Sequence, residues 1–288
     1  MNAKAVVIVI MVMIGGTCIV IHCGDVDVTV EDSGYGDVIC EKSYGKAVLT
    51  AVPDDDHVFA GWYDGDTAVS FDNPLTVNSD CVLSATYLPK TVTKTFAWTS
   101  EDGTQITAVV ELDSSEYLVL KNDPDVPRRG EASDGMADMA VLDRSTARIA
   151  EILSEVASES DADELELAVR FVQGAIQYES DRQHHDGDYW KYPLETLWDS
   201  AGDCEDTSIL LATILKAMGY DAVLVELPGH IGCAVSIPGA DSNWMVDGVP
   251  YSYVETAVDG SYYSIGYLPG FEADDAVLIN LSLKEAGQ

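Results

Sequence analysis

The chain has 288 residues, 47% hydrophobic and 23% charged, with 50 Asp and Glu against 15 Lys and Arg and a formal net charge of -35. The apolar share excludes a chain disordered throughout, and the charge excludes nucleic acid as a partner, because every phosphate contact needs a cation that this surface lacks. Six cysteines are too few for a disulfide-dense scaffold, so each is read singly.

Lys4 precedes an uncharged apolar run from Ala5 to Ile21, and Asp25 follows it. At about 1.5 Å per residue the run falls a little short of the roughly 30 Å hydrocarbon core, which fits either a long signal core or a short membrane helix. No small-x-small cleavage site is evident, which favours an uncleaved anchor with Lys4 inside and the rest of the chain outside the cytoplasm, membrane-anchored or secreted. Cys18 and Cys23 follow Thr17 and His22, poor neighbours for lipoprotein processing. Residues 1–24 are therefore expected to be a signal or membrane anchor.

Residues 25–89 alternate in short runs (VDVTV, DVICEKS, KAVLTAVP, HVFAGWYDG, LTVNS, CVLSATY) broken by Gly, Asp and Asn, the pattern of a small all-β domain. The order Gly34, Gly36, Gly45-Lys46-Ala47-Val48-Leu49-Thr50-Ala51, Pro53, Phe59-Ala60-Gly61-Trp62, Asn73-Pro74-Leu75-Thr76-Val77 and Ala85-Thr86-Tyr87 resembles the internalin B-type repeat of cell-surface proteins. The resemblance implies a β-grasp-like spacer or adhesion module without chemistry. Cys40 and Cys81 either pair there, in an oxidising exterior, or stay separate buried thiols.

Residues 90–288 change character. Phe96 to Leu112 reads as a hairpin across Glu101-Asp102-Gly103-Thr104, Tyr117 to Lys121 as a further strand, and Asp123 to Met139 as loop. Helices are expected over Arg144 to Ala157 and Asp161 to Tyr178, where apolar residues recur at three- and four-residue spacing. In the loop from Ser180 to Lys191, His184, His185, Asp186 and Asp188 resemble metal ligands, but an acidic solvated loop explains them more simply, and neither metal nor cofactor is expected.

Gly202-Asp203-Cys204-Glu205-Asp206 then leads into an amphipathic helix closed by Met218-Gly219. Asp203 is placed to cap it and Asp206 to complete a capping box, which makes Cys204 the first helical residue. Unpaired N–H groups at a helix start favour thiolate, whereas Glu205 and Asp206 oppose it, so a protonated His is needed to outweigh them. Strands follow over Asp221 to Leu227 and His230 to Ile237, and a hairpin turns at Asp247-Gly248 between Trp244-Met245-Val246 and Val249 to Thr256. Cys204, His230 and an acid thus come in an order that suits nucleophilic thiol catalysis: the imidazole takes the thiol proton and the acid fixes its tautomer. Glu255 is preferred as that acid over Asp247, whose place in a turn already accounts for it. Gln173 is a candidate side-chain donor to an oxyanion, beside the Cys204 N–H. Cys233, three residues beyond His230, falls on the opposite face and reads as a core thiol, while Trp190 and Trp198 either line a groove or sit in the core.

Tyr192-Pro193-Leu194-Glu195-Thr196-Leu197, the GDCED block, Gly229-His230 and Tyr253-Val254-Glu255-Thr256, with Phe171-Val172-Gln173 and Tyr178 upstream, resemble the transglutaminase-like, papain-fold superfamily over about Thr95 to Leu281. That resemblance implies an α+β domain with helices packed on an antiparallel sheet, Cys204 as nucleophile and His230 as base. The expectation is a surface cysteine peptidase or amidase working through a thioester on a peptide, protein or cell-envelope substrate. The alternatives are a non-catalytic adhesion or peptide-binding protein and a protein-crosslinking acyl transferase. The crowding of acids around Cys204 also suggests that moderate salt would raise the rate.

Overall fold

The computed structural model describes residues 19–23, 26–31, 34–43, 45–129, 135–160, 162–181, 189–258 and 262–286, and the chain divides into two compact units, Met1–Thr91 and Val92–Gln288. In the first unit the strands are β1 (Ile19–Cys23), β2 (Val26–Glu31), β3 (Gly36–Ser43), β4 (Lys46–Pro53), β5 (His57–Asp64), β6 (Thr67–Ser70), β7 (Leu75–Val77) and β8 (Cys81–Pro89). They form a five-stranded sheet, β1-β2-β8-β5-β6, and a three-stranded one, β3-β4-β7. Every second residue is buried in β2 (Val26, Val28, Val30) and β4 (Ala47, Leu49, Ala51), and these side chains join Trp62, Leu83, Ala85 and Tyr87 in one core. Cys40 and Cys81 both belong to that core and are not joined by a disulfide.

The C-terminal end of the segment expected as an anchor falls within the described residues. Ile19–Cys23 is a strand, antiparallel to β2 with Ile19 opposite Val30 and Cys23 opposite Val26, so the apolar run does not continue as a helix to Ile21. Its remainder lies outside the described residues, and among those described no helix is long and apolar enough to cross a membrane.

The second unit begins with the hairpin of β9 (Thr91–Thr99) and β10 (Gln105–Asp113). The segment expected as a strand from Tyr117 is instead helix α1 (Ser114–Lys121), because Asp113 Oδ1 accepts the Ser115 and Glu116 N–H groups at 2.8 and 3.0 Å. This cap outweighs the strand-like Tyr-Leu-Val-Leu composition. Next come β11 (Val141–Leu142), α2 (Arg144–Ser160), α3 (Glu164–Ala175), β12 (Gln177–Tyr178), α4 (Pro193–Asp199), β13 (Ala201–Gly202) and α5 (Cys204–Ala217). The chain then runs through β14 (Ala222–Leu227), β15 (His230–Val235), β16 (Trp244–Val246), β17 (Val249–Val254), β18 (Val277–Asn280) and β19 (Lys284–Glu285).

The five-stranded antiparallel sheet has the order β16-β17-β15-β14-β18. Helix α5 lies against β14 and β15 and is flanked by α2, α3 and α4. It is buried on every side from Glu205 to Leu215, which is why its apolar residues do not form a single stripe. Val223, Val225, Leu227, Ala234, Tyr251 and Tyr253 pack with Trp244, Leu268 and Phe271 in a further core on this sheet. The second unit is thus a mixed α+β domain whose central helix delivers its first residue, Cys204, to the sheet.

Candidate active site

The backbone places Asp203 at the N-cap of α5 and Cys204 first in the helix, but the expected side-chain capping does not form. Asp206 is fully buried and turns away from Asp203. Its Oδ1 accepts the Lys191 N–H at 2.8 Å, and its Oδ2 stands 3.6 Å from Lys191 Nζ, which also reaches Asp199 at 3.1 Å. Gly202 permits this arrangement, because a Cβ there would meet Asp206 Cβ at 2.5 Å. Burial drives the Asp206 carboxyl well above its ordinary value, and the Lys191 ammonium only partly offsets it.

Cys204 Sγ donates to Glu205 Oε2 at 2.9 Å. Burial, followed by the Glu205 charge, holds the thiol well above its ordinary value, while the Ile231 N–H, one residue beyond His230, pulls the other way. The helix-start advantage expected for the thiolate is therefore overridden by desolvation, and the resting sulfur is a neutral thiol. Glu205 is itself pushed up to about 9 by burial and by Asp203, so it too is protonated at neutral pH.

His230 opens β15, with its ring stacked parallel to Phe271 at 5.4 Å. Its Nε2 stands 3.1 Å from both Glu255 oxygens, and its Nδ1 makes no hydrogen bond among the described residues. Glu255 follows the last residue of β17 and is held by further donors: the Tyr253 hydroxyl on Oε2 at 3.0 Å, and the Thr256 and Ala257 N–H groups on Oε1 at 3.0 Å each. Burial works to raise the Glu255 carboxyl, but the His230 hydrogen bond and charge, aided by Ala257 and Tyr253, bring it below the ordinary carboxylate value. Tyr253 reaches it because Gly232 has no side chain: a Cβ there would come within 2.4 Å of the ring.

Asp247 lies elsewhere, exposed in the β16–β17 turn at φ 51. Gln173 is buried and committed: its Nε2 donates to the carbonyls of Glu255 at 2.7 Å and Tyr263 at 3.1 Å, leaving no third hydrogen for an oxyanion. It anchors the Glu255 backbone instead. Cys233 is a buried core thiol, and Trp190 is buried as well, while Trp198 stacks on Tyr117 at 4.1 Å. His184, His185, Asp186 and Asp188 lie outside the described residues. Among those described, Asp181, Asp203 and Glu205 are the acids whose oxygens come within 4.8 Å of one another and so have the spacing to hold a cation.

Several further groups shape the site. Tyr253 was legible in principle, since it sits two residues before Glu255 and so on the same strand face. The hydroxyls of Thr207 and Ser208 carry no motif, and Thr256 and Tyr178 enter only through the resemblance, with no role assigned. Tyr178 is a part-exposed ring whose phenol is raised chiefly by burial. Tyr178 lines a cavity of about 450 Å³ with Gln173, Gly174 and Val258. A second cavity of about 330 Å³ shares Gln173 and Gly174 and continues to Trp98, Gln105, Arg170 and Tyr262.

No family model matches the chain, and no curated protein matches it. Among solved structures, one described as a putative cysteine protease from Cytophaga hutchinsonii aligns with 78% of this chain and 71% of its own at 9% identity and a TM-score of 0.31, a likeness too slight to carry an argument about fold or activity.

Proposed function

We propose that the second unit is a transglutaminase-like cysteine hydrolase, a peptidase or amidase that attacks its substrate through Cys204. The observation that supports this most is the His230–Glu255 pair set beside the Ile231 N–H that faces the Cys204 sulfur. For attack, the thiol exchanges Glu205 for His230 Nδ1. That nitrogen takes the proton as the sulfur bonds to the scissile carbonyl carbon, and Glu255 stabilises the resulting imidazolium. The imidazolium then protonates the leaving amine as the C–N bond breaks, leaving a thioester. Water activated by His230 hydrolyses it and restores the thiol. The Cys204 N–H, at the open end of α5, serves as an oxyanion donor. On the apolar run after Lys4, the enzyme is exported and held at, or released from, the outer membrane face, where the first unit acts as a spacer of the internalin B type.

Iodoacetamide mapping of the full chain at neutral pH tests the chemistry. Cys204 is expected to react faster than Cys233 and to lose that advantage in His230→Ala; a Cys204 as inert as Cys233 overturns the reading.

One observation favours a second reading, in which the cleft binds peptide without cutting it. The thiol is tied to a protonated carboxyl and raised by burial. Peptide binding that survives Cys204→Ser, with no product formed by the parent, selects that alternative. Acyl transfer to an amine in place of water would appear as amine incorporation into a substrate glutamine.

A further inference from the structure

Cys204, His230 and Glu255 sit on three different elements, and what registers those elements to one another is a cluster of three hydroxyls, each close in sequence to one of them. Thr256 Oγ1 stands 2.7 Å from Ser208 Oγ and 2.9 Å from Thr207 Oγ1. Ser208 Oγ reaches the carbonyl of Ile231 at 3.3 Å, and Thr207 Oγ1 reaches those of Asp203 at 2.7 Å and Cys204 at 3.3 Å. All three residues are fully buried. With one hydrogen each, Thr207 donates to the Asp203 carbonyl, Ser208 to Ile231 and Thr256 to Ser208, so the chain Thr256–Ser208–Ile231 joins the residue after Glu255, the first turns of α5 and the residue after His230, with Thr207 packed beside it. Hydroxyls at these distances add a directional constraint to the packing around them.

We infer that Thr256 is a positioning residue for the thiol–imidazole pair, holding α5 against the β15 and β17 ends through Ser208 so that proton transfer from Cys204 to His230 is possible. This rests on the hydrolase reading. The Thr256 side chain touches neither the thiol nor the imidazole, and its N–H, which donates to Glu255 Oε1, is kept in every variant. Valine has the same shape without the hydroxyl, and serine has the hydroxyl without the methyl, so the two substitutions separate hydrogen bonding from packing.

The test is the iodoacetamide alkylation rate of Cys204 in the full chain from pH 5 to 10, with Cys233 as internal control and His230→Ala as reference. Thr256→Val is expected to lower the neutral-pH rate between about tenfold and a hundredfold, the range for a misplaced reacting group, with the gap to the parent closing as pH rises towards 10. Thr256→Ser should restore the parent profile, and Ser208→Ala should reproduce the loss. A Thr256→Val profile equal to the parent's overturns the inference, as does a Thr256→Ser variant as impaired as Thr256→Val. If Thr256→Val fails to fold, as judged by near-ultraviolet circular dichroism, Ser208→Ala decides: a parent-like profile overturns the inference and a neutral-pH loss supports it. If His230→Ala itself leaves the profile unchanged, the hydrolase reading has failed, which the reference arm distinguishes from failure of the Thr256 assignment alone.

Discussion

The single Nε2 of His230 is shared between both oxygens of Glu255, at 3.1 Å from each, and Nδ1 makes no hydrogen bond among the described residues. Four donors converge on that carboxylate, one each from His230, Tyr253, Thr256 and Ala257. Such a group is built to remain anionic in a buried place.

Replacing Glu255 with Gln should therefore cost more than replacing the rival acid. A hydrogen bond to a charged partner contributes about 1.5 to 3 kcal/mol, so Glu255→Gln is expected to slow neutral-pH alkylation of Cys204 by at least about tenfold. Asp247→Asn, at an exposed turn whose positive φ Asn tolerates, should match the parent. Equal rates for the two variants would remove Glu255 from the mechanism. The stability effect has a definite sign. Because the folded Glu255 carboxyl is depressed, its contribution is present above the ordinary carboxylate range and lost as pH falls through the depressed value. The Tm gap between parent and Glu255→Gln should thus narrow below about pH 4.

Gly232 carries a packing prediction. An added methyl would lie 2.4 to 2.7 Å from three atoms of the Tyr253 ring and hydroxyl, and that ring is buried in the sheet core. Gly232→Ala should destabilise the fold by about 2 kcal/mol, the usual cost of overpacking, and should detach the hydroxyl from Glu255. Tyr253→Phe removes the hydroxyl alone and should slow alkylation with a smaller loss of Tm. A Gly232→Ala chain with parent Tm and rate would show that the ring has room to move.

The elements that carry Cys204, His230 and Glu255 are legible because each comes with a local signal: a helix start, a Gly-His turn into a strand and an acid just past a strand end. The electrostatics of those residues are not. The sequence places Glu205 and Asp206 beside Cys204 but says nothing of burial, and burial is what keeps the thiol protonated, sends Asp206 to Lys191 and neutralises Glu205. Gln173 was misread for a related reason: its partners are backbone carbonyls 82 and 90 residues away, which no spacing rule anticipates. Likewise α1 hid behind strand-like residues because a single cap outweighed propensity, and the end of the apolar run became a strand because β2 offered it an edge.

Burial also changes the expected response to salt. Mobile ions screen exposed charges across about 8 to 10 Å of water, but they do not enter a packed core. Glu205 and Asp206 are both buried, and Glu205 is uncharged at neutral pH, so the acceleration expected from screening them should be absent. The alkylation rate of Cys204 at pH 7 is expected to change less than about twofold between low and 0.5 M salt. A steep rise would mean that the exposed acids of the surface, rather than the buried ones, set the thiol's field.

Glu205 makes the last prediction, one of stability against pH. Its carboxyl rises from an ordinary 4.5 to about 9 in the folded chain, first through burial and then through Asp203. The folded state therefore keeps a proton that the unfolded state releases near its ordinary value. The contribution is fully present below that value and is lost progressively as pH rises towards 9. Glu205→Gln has no proton to lose and can still accept the Cys204 thiol through its amide oxygen. The variant should match the parent's Tm at pH 5 and exceed it at pH 8 by an amount equivalent to roughly 1 to 3 kcal/mol. Asp206 is raised as well and stays in both proteins, so each keeps some loss of stability with rising pH, and the diagnostic quantity is the difference between them. Denaturation curves that run parallel from pH 5 to pH 8 would show that Glu205 is ionised throughout, and that the Cys204 thiol rests against a carboxylate.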